Sequence, residues 1–215
     1  MPDPQNEPWP LRHLVLRTPR LTLCPDDDAG LYELAALALR GVHPPQEMPF
    51  LTAWTDQAPD DLVRTTVRHF WQARAQLTAA DWSVNFLVRH GGRVIGVQEL
   101  SGKDFAITGE VSTGSWLGIT HQRRGFGTEM RAAILLLAFD HLNATIARSG
   151  AFADNAASLR LSEKLGYRTD GTNTFARRGT AVTEIRLVLE PARFVRPDWT
   201  LQVDGLDGCQ QMLGG

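Results

Sequence analysis

Cysteine is nearly absent from this chain: only Cys24 and Cys209 occur in 215 residues, and they stand far apart. They make neither a metal-ligand spacing nor a disulfide framework, which fits a reducing compartment. Strong charge of either sign is lacking as well. A formal net charge of −2 and a pI near 6.3 give no general electrostatic footprint for nucleic acid. The longest apolar run, Ala132 to Phe139, is far too short to span a bilayer. The opening Met1 to Pro10 is Pro-rich and polar, without the basic and apolar regions of a signal peptide. No Cys/His set has zinc spacing, and no G-x-S-x-G elbow supports a hydrolase. The expectation left standing is a soluble cytoplasmic protein with no metal, no nucleic-acid partner and no membrane attachment.

What is present suits one globular domain. The 43% apolar and 21% charged residues are ordinary for such a chain, and its length can bury a sizeable core without crosslinks. Residues 14 to 23 predict a strand interrupted by Pro19, followed by a helix from Asp26–Asp28 to about Leu39. Gly41 to Pro59, with four prolines, reads as loop, and a second helix runs from Pro59 to about Leu77. Trp82 to Leu100 predicts a hairpin turning at Gly91-Gly92, and Val111 to Leu117 a further strand. Arg124 to His141 carries the strongest helical period, with an apolar stripe wide enough for burial on much of its circumference. A strand at Thr145 to Phe152 leads to a short helix capped by Asp154 or Asn155 and stopped by Gly166. A hairpin over Tyr167 to Leu189 and a strand at Trp199 to Val203 complete the pattern. Hairpins first, then strands alternating with helices, predict a mixed α/β sheet.

The informative segment is Gln122-Arg123-Arg124-Gly125-Phe126-Gly127-Thr128, at a strand-to-helix turn. Glycines there let backbone approach a ligand and leave helix-start amides unpaired, which with the helix dipole suits an anion such as phosphate. Arg123 and Arg124 add charge at the rim. A glycine turn needed only for tight packing is the alternative. The Rossmann pattern would need a third glycine where Met130 stands, and no Lys-Ser/Thr follows for a P-loop.

Gln122-x-x-Gly125-x-Gly127 resembles the Q/R-x-x-G-x-G/A signature of the GNAT superfamily, whose turn cradles the pyrophosphate of acyl-coenzyme A. Asn155-Ala156-Ala157-Ser158 and Glu163-Lys164-Leu165-Gly166-Tyr167 resemble the family's second signature. Gly114-Ser115-Trp116-Leu117 looks like its G-Y-W-L strand. Arg17-Thr18-Pro19-Arg20-Leu21 is similar to the opening strand of the RimJ/RimL branch, the ribosomal-protein N-acetyltransferases, and the chain also looks like an actinobacterial subgroup with proposed succinyl transfer. The resemblance implies a central sheet of about seven strands, mixed and mostly antiparallel, flanked by helices, with a splayed strand pair binding coenzyme A. It implies a flexible terminus at 1–13, the acyltransferase domain at 14–190 and an extension at 191–215 packing on the domain or a partner subunit. The last strand could pair with a neighbour's edge to make a homodimer.

The implied reaction moves an acetyl group from acetyl-coenzyme A to a primary amine by direct attack. Succinyl-coenzyme A is the alternative donor, and a non-catalytic acyl-coenzyme A sensor the alternative from another class. The acceptor is a protein N-terminus, a lysine or a small amine. Donor contacts are implied for Trp116, Leu117, Gly118, Ile119, Gln122 to Thr128, Asn155 and Ser158. Most members place a tyrosine acid where this chain has Ser162; the likeness to the RimL branch implies that Ser158 serves the leaving sulfur instead, as a hydrogen-bond donor, with an ordinary first-turn helix serine as the alternative. Related sequences often carry a glutamate where Ser112 stands. Glu99 and Glu110 are the remaining carboxylates for a general base, if not solvated surface acids. His43 in the proline loop and Trp82 are candidate acceptor-site residues, with a structural loop histidine and core packing as their alternatives.

Overall fold

A computed structural model describes residues 7–214. Pro19 divides the first extended segment into β1 (Val15–Arg17) and β2 (Thr22–Pro25), which pair antiparallel. Asp27 caps α1 (Asp28–Leu39), its Oδ1 accepting from the Gly30 N–H at 2.8 Å. Pro59 opens α2 (Pro59–Gln76), whose Leu62, Thr66, Val67 and Phe70 are buried one helical turn apart. Gly91 and Gly92, both at positive φ, turn β3 (Asp81–His90) into β4 (Arg93–Lys103). A single turn, α3 (Phe105–Thr108), leads to β5 (Glu110–Leu117). α4 (Phe126–Leu136) passes into a π-helical turn at Leu137–His141 and is buried on most sides. β6 (Ile146–Phe152), α5 (Ala156–Lys164), β7 (Arg168–Arg177), β8 (Thr180–Leu189) and β9 (Gln202–Asp204) complete the order.

The strands form one mixed, mostly antiparallel sheet of nine in the order β7-β8-β6-β5-β4-β3-β2-β1-β9. The family resemblance implies about seven. The difference arises where Pro19 splits one strand into two and where β9 joins the sheet beside β1, Leu16 facing Val203. β9 therefore pairs with β1 of its own chain and becomes the outer strand on that side of the sheet. Phe194, Cys209 and Leu213 of the extension lie in the same apolar core as α4.

Strand alternation divides the core into two layers. Trp82, Val84, Phe86 and Val88 of β3 face α4 and α5, while Leu87 and Val97 face α1 and α2. The site depends on a break in the ladder. β5 and β6, the parallel pair, are joined only at Glu110–Ile146, Val111–Ala147 and Ser112–Arg148. Beyond those residues β5 continues to Leu117 and β6 to Phe152 without pairing to each other, so the strands diverge and leave a gap.

Candidate active site

Both helices that follow the diverging strands begin at the open end of this gap. β5 leads through Gln122 to Thr128 into α4, and β6 leads through Asn155 into α5. Gly125 is the N-cap of α4 at φ +83 and contributes no side chain to the first-turn amides, which stay available to a ligand. A Cβ on Gly127 would stand 3.0 Å from Leu161 Cδ1, so glycine here also lets α4 approach α5 closely.

The basic rim is larger than the sequence motif suggests. Arg123 and Arg124 are exposed, and Arg20 joins them, its guanidinium 4.7 Å from the Phe126 ring centre and its Nη1 donating to the Arg124 carbonyl at 3.1 Å. Phe126 itself is 2% exposed and anchors the turn in the core, so its side chain faces away from any ligand at the rim. Glu129 holds the assembly from beneath. It accepts from Thr18 Oγ1 at 2.6 Å, Arg20 N–H at 3.0 Å and Arg20 Nε at 2.6 Å. Thus Thr18 and Arg20 of the opening motif brace the turn of α4.

The strand register decides which backbone groups of β5 face the gap. The Gly118 N–H donates to Ile95 O and the Ile119 N–H to Gly41 O, both at 3.0 Å, so neither amide faces the gap. By two-residue alternation Trp116 shares the orientation of Gly118, while Thr113, Ser115 and Leu117 direct their backbone groups toward β6. The Thr113 carbonyl accepts from Ser149 Oγ at 3.3 Å, as that orientation requires. Of Trp116, Leu117, Gly118 and Ile119, only Leu117 turns its backbone to the gap, on the same side as Thr113 and Ser115. Gln122 is also engaged within the fold. Its Nε2 donates to Val42 O at 2.6 Å and Leu117 O at 2.9 Å, tying the end of β5 to the α1–α2 loop.

On α5, Asn155 Oδ1 accepts from the Ser158 N–H at 3.1 Å, leaving the Asn155 amide N–H₂ free to donate. Ser158 is half-buried in the first turn. Ser162, fully buried one turn further along, accepts from Arg131 Nη1 at 3.3 Å.

The two candidate bases separate clearly. Glu110 is held by Arg148, whose Nε and Nη2 donate at 2.6 and 3.0 Å, and those hydrogen bonds keep its carboxyl below the usual carboxylate range. It also sits at the closed end of the gap and has no oxygen to spare. Glu99 has one oxygen committed, Oε1 accepting from Ser83 Oγ at 2.8 Å. Its Oε2 lies where a Cβ on Gly114 would come within 2.7 Å, directly over the strand at the edge of the gap. Across the gap Glu184 does the same over Gly150, its Oε1 2.6 Å from the position of a Cβ. Paired residues Ser112 and Arg148 fix both glycines on one face, so two carboxylates flank the gap on the α1/α2 side. Glu184 stands in no local motif; only the sheet register brings it there.

Above that face, β7–β8 and the α1–α2 loop meet. Arg177 Nη1 donates to Met48 O, and Arg178 Nε reaches Asp56 Oδ2 at 2.9 Å. Beneath them a wall forms from Phe50, Trp54 and Trp116, with successive ring centres 5.2 and 5.6 Å apart. His43 packs on Phe50. A carbonyl only accepts, so His43 donates from Nδ1 to Pro44 O at 2.9 Å and accepts at Nε2 from Thr55 Oγ1 at 2.8 Å. It borders the wall with both nitrogens occupied. Trp82 does not: it is 1% exposed, edge-on to Phe105 in the layer facing α4. Strand parity, invisible without the register, sends it to the core. Between the strands and the β8 side chains lies a groove of about 260 Å³ lined by Ser112, Ser149, Gly150, Glu184 and Arg186.

Neither cysteine is a nucleophile candidate. Burial pushes the Cys209 thiol up to about 11 and raises Cys24 as well. Among the described residues no His, Cys, Asp and Glu cluster is arranged to hold a metal ion, and no helix is long and apolar enough to cross a membrane.

With this geometry in hand, comparison with known families is decisive. The family described as "Acetyltransferase (GNAT) domain" matches residues 14–168. The chain belongs to the GNAT acetyltransferase family. Solved structures agree on the fold. A GCN5-related N-acetyltransferase from Brucella melitensis superposes with a TM-score of 0.67 at 20% identity, covering 88% of this chain and 85% of its own. The RimL ribosomal-protein alpha-N-acetyltransferase in complex with coenzyme A gives 0.66 at 14% identity, over 80% and 95%. A GNAT-family acetyltransferase from Bacillus anthracis gives 0.61 at 14%, over 82% and 98%.

Proposed function

We propose that this protein transfers an acyl group, acetyl foremost, from a coenzyme A thioester to a primary amine while both are bound. The observation that carries this reading is the β5–β6 gap, paired over three residues and then open, with the α4 glycine turn at its mouth. A pyrophosphate suits the bare amides and basic rim of that turn, and an amide-containing arm suits the inward-facing backbone of Ser115 and the Leu117 N–H, since the Thr113 and Leu117 carbonyls are already engaged. The Asn155 amide and the Ser158 hydroxyl offer further donors along the same path.

When bound, the thioester supplies an activated acyl carbon, and the chain's own residues do the rest. Glu99 takes the proton that the attacking amine must lose, its free Oε2 standing over Gly114 at the gap edge. Glu184 on the opposite lip raises the local concentration of an ammonium before it deprotonates. The wall of Phe50, Trp54 and Trp116 keeps water from the acyl carbon. A half-buried glutamate pair and a polar groove favour a cationic acceptor. Likeness to the RimJ/RimL opening motif, braced on Glu129, supports a peptide or protein α-amine as its source.

Calorimetric titration with acetyl-, succinyl- and free coenzyme A, beside the Gly125→Glu variant, tests this reading. Saturable binding of a thioester, lost in the variant, followed by thiol release on adding an amine, is the expected outcome, and the tighter thioester names the donor. Binding without amine-dependent thiol release would make the protein a sensor. Absence of binding by all three would refute the reading.

A further inference from the structure

The diverging strands enclose a charge that no described residue neutralises. Arg131 of α4 is 4% exposed, in a helix otherwise lined by Met130, Ala132 and Ala133. Its guanidinium lies beneath the gap. Nη2 donates to Ser115 Oγ of β5 at 3.0 Å, and Nη1 to Ser149 Oγ of β6 at 3.4 Å and Ser162 Oγ of α5 at 3.3 Å. Nε has no partner among the described residues. No carboxylate among them bears on its charge, and Tyr167 nearby stays neutral because burial raises its phenol. Desolvation pulls the guanidinium itself below its ordinary value. A buried cation held by three neutral hydroxyls is costly, and a fold retains such a group most readily when an anion comes to it.

We infer that Arg131 is the leaving-group stabiliser of this enzyme: the sulfur of coenzyme A departs as a thiolate, held by a buried guanidinium rather than protonated by an acid. The inference rests on the donor reading above. An arm entering at the α4 turn runs along the gap to its closed end, where Ser149 is the first β6 residue without a β5 partner. There Ser115 and Ser149 stand on either lip, and Arg131 lies between and below them. During transfer the amine lone pair forms the new N–C bond, and the C–S bond breaks with its electron pair on sulfur. The amine proton leaves through Glu99, so no proton need reach the sulfur. Ser162, small where a large side chain would block the way, lets the Arg131 fork reach the gap.

The charged groups around this point divide by face. On the α4/α5 side stand Arg131 and Tyr167. On the other side stand Glu99, Glu110, Arg148, Glu184 and Arg186, where Arg148 is already neutralised by Glu110 and Asp170 and the exposed Arg186 donates to the Asp170 carbonyl. Among the described residues Arg131 is the buried cation without a carboxylate partner on the α4/α5 side, whereas Arg186 is exposed and lies on the other face.

The test is titration of the bound thiol of free coenzyme A, followed through the ultraviolet absorbance of the thiolate. In the unaltered protein the thiol is expected to ionise about one to three pH units below that of free coenzyme A. In Arg131→Met, an apolar replacement of similar length, bound thiol should titrate as it does in solution. The turnover number should fall about 10²- to 10³-fold while the KM for acetyl-coenzyme A stays nearly unchanged. Thermal stability should hold or rise, because an unpaired buried charge has been removed. Ser162→Ala, which keeps the charge, should retain most of the lowered thiol pKa. Bound thiol that titrates normally in the unaltered protein overturns the proposal. So does succinyl-coenzyme A binding far more tightly than acetyl-coenzyme A with that preference lost in Arg131→Met, since the guanidinium would then be holding an acyl carboxylate. Failure of coenzyme A to bind at all would bring down the donor reading and this proposal together, whereas binding with an unshifted thiol overturns this proposal alone.

Discussion

Glu99 can be disabled as a base in two independent ways, and the pair makes a sharp test. Glu99→Gln keeps shape and the Ser83 contact but cannot take a proton. Gly114→Ala leaves the carboxylate in place chemically while a new Cβ occupies the space 2.7 Å from Oε2. The obstructing atom is the far end of a flexible side chain and Gly114 has no positive φ, so the alanine folds and the carboxylate swings aside. General-base assistance contributes about 10² to 10⁴ in rate, or roughly 3–5 kcal/mol of barrier. A carboxylate displaced by about an ångström loses on the order of 10²-fold. Both variants should therefore lose turnover number and leave coenzyme A binding intact, with Gly114→Ala the milder. The acceptor sharpens the expectation. At pH 7 about a tenth of an α-amine with pKa near 8 is neutral, against about one part in 2,500 of a lysine amine near 10.4. The loss should accordingly be larger with a lysine peptide, and raising the pH should restore more of its rate. The assay is thiol release with an aromatic disulfide reagent, using one peptide with a free N-terminus and one with only a lysine. Glu110→Gln is the comparison, since its Arg148 clamp lies at the closed end. Near-normal turnover in Glu99→Gln with both peptides, or an equal loss in Glu110→Gln, would refute this assignment of the base.

Three further expectations concern the frame that holds the site. Burial lifts Asp26 to about 6 from an ordinary 3.8, against the attraction of Arg74 Nε 2.9 Å away but out of line for a hydrogen bond. The folded form then binds this proton more tightly than the unfolded chain, so stability is lost as pH rises from about 4 through 6, by roughly 3 kcal/mol. Asp26→Asn should remove that part of the pH dependence in urea unfolding, and an unchanged pH profile would count against it. Glu129→Ala deprives Thr18 and Arg20 of three hydrogen bonds and should lower stability by about 2–4 kcal/mol, with weaker coenzyme A binding through a loosened turn. A full-strength binding isotherm in that variant would detach the opening motif from the donor site. Gly125→Glu adds a Cβ at φ +83 and a negative charge at the start of α4, and should weaken coenzyme A binding at least 10²-fold without unfolding the protein.

Local signals carried most of the elements. Caps such as Asp27 and Asn155, the Gly91-Gly92 turn and the apolar period of α4 are written within a few residues, and each element formed close to where those signals lie. What escaped was whatever the sheet register decides. β9 reaches β1 from the far end of the chain. Trp82 takes the core side because of strand parity, and Trp116 and Gly118 turn their amides to β4 for the same reason. Glu184 enters the site from β8, with no motif around it. Arg131 is a different case: a lone charge inside a helix that is apolar on most sides is visible in sequence, and the width of that apolar stripe already implied its burial.

The closed end of the gap explains how the sheet opens without coming apart. A ladder that stops after Ser112 and Arg148 leaves backbone groups unpaired, and side chains replace the missing bonds. Ser149 Oγ donates to Thr113 O, and Thr113 Oγ1 reaches Arg148 O at 3.4 Å. Two arginines then pin the apex from opposite faces. Arg148 does so on the acceptor side with Glu110 and Asp170 as counter-ions, so its charge is cancelled and a cationic amine is not repelled. Arg131 does so on the other side with hydroxyls alone, so its charge persists. If bracing were the whole purpose, the neutralised arrangement would serve both faces. The asymmetry matches the proposed reaction, in which a positive group arrives on one side of the gap and negative charge leaves on the other.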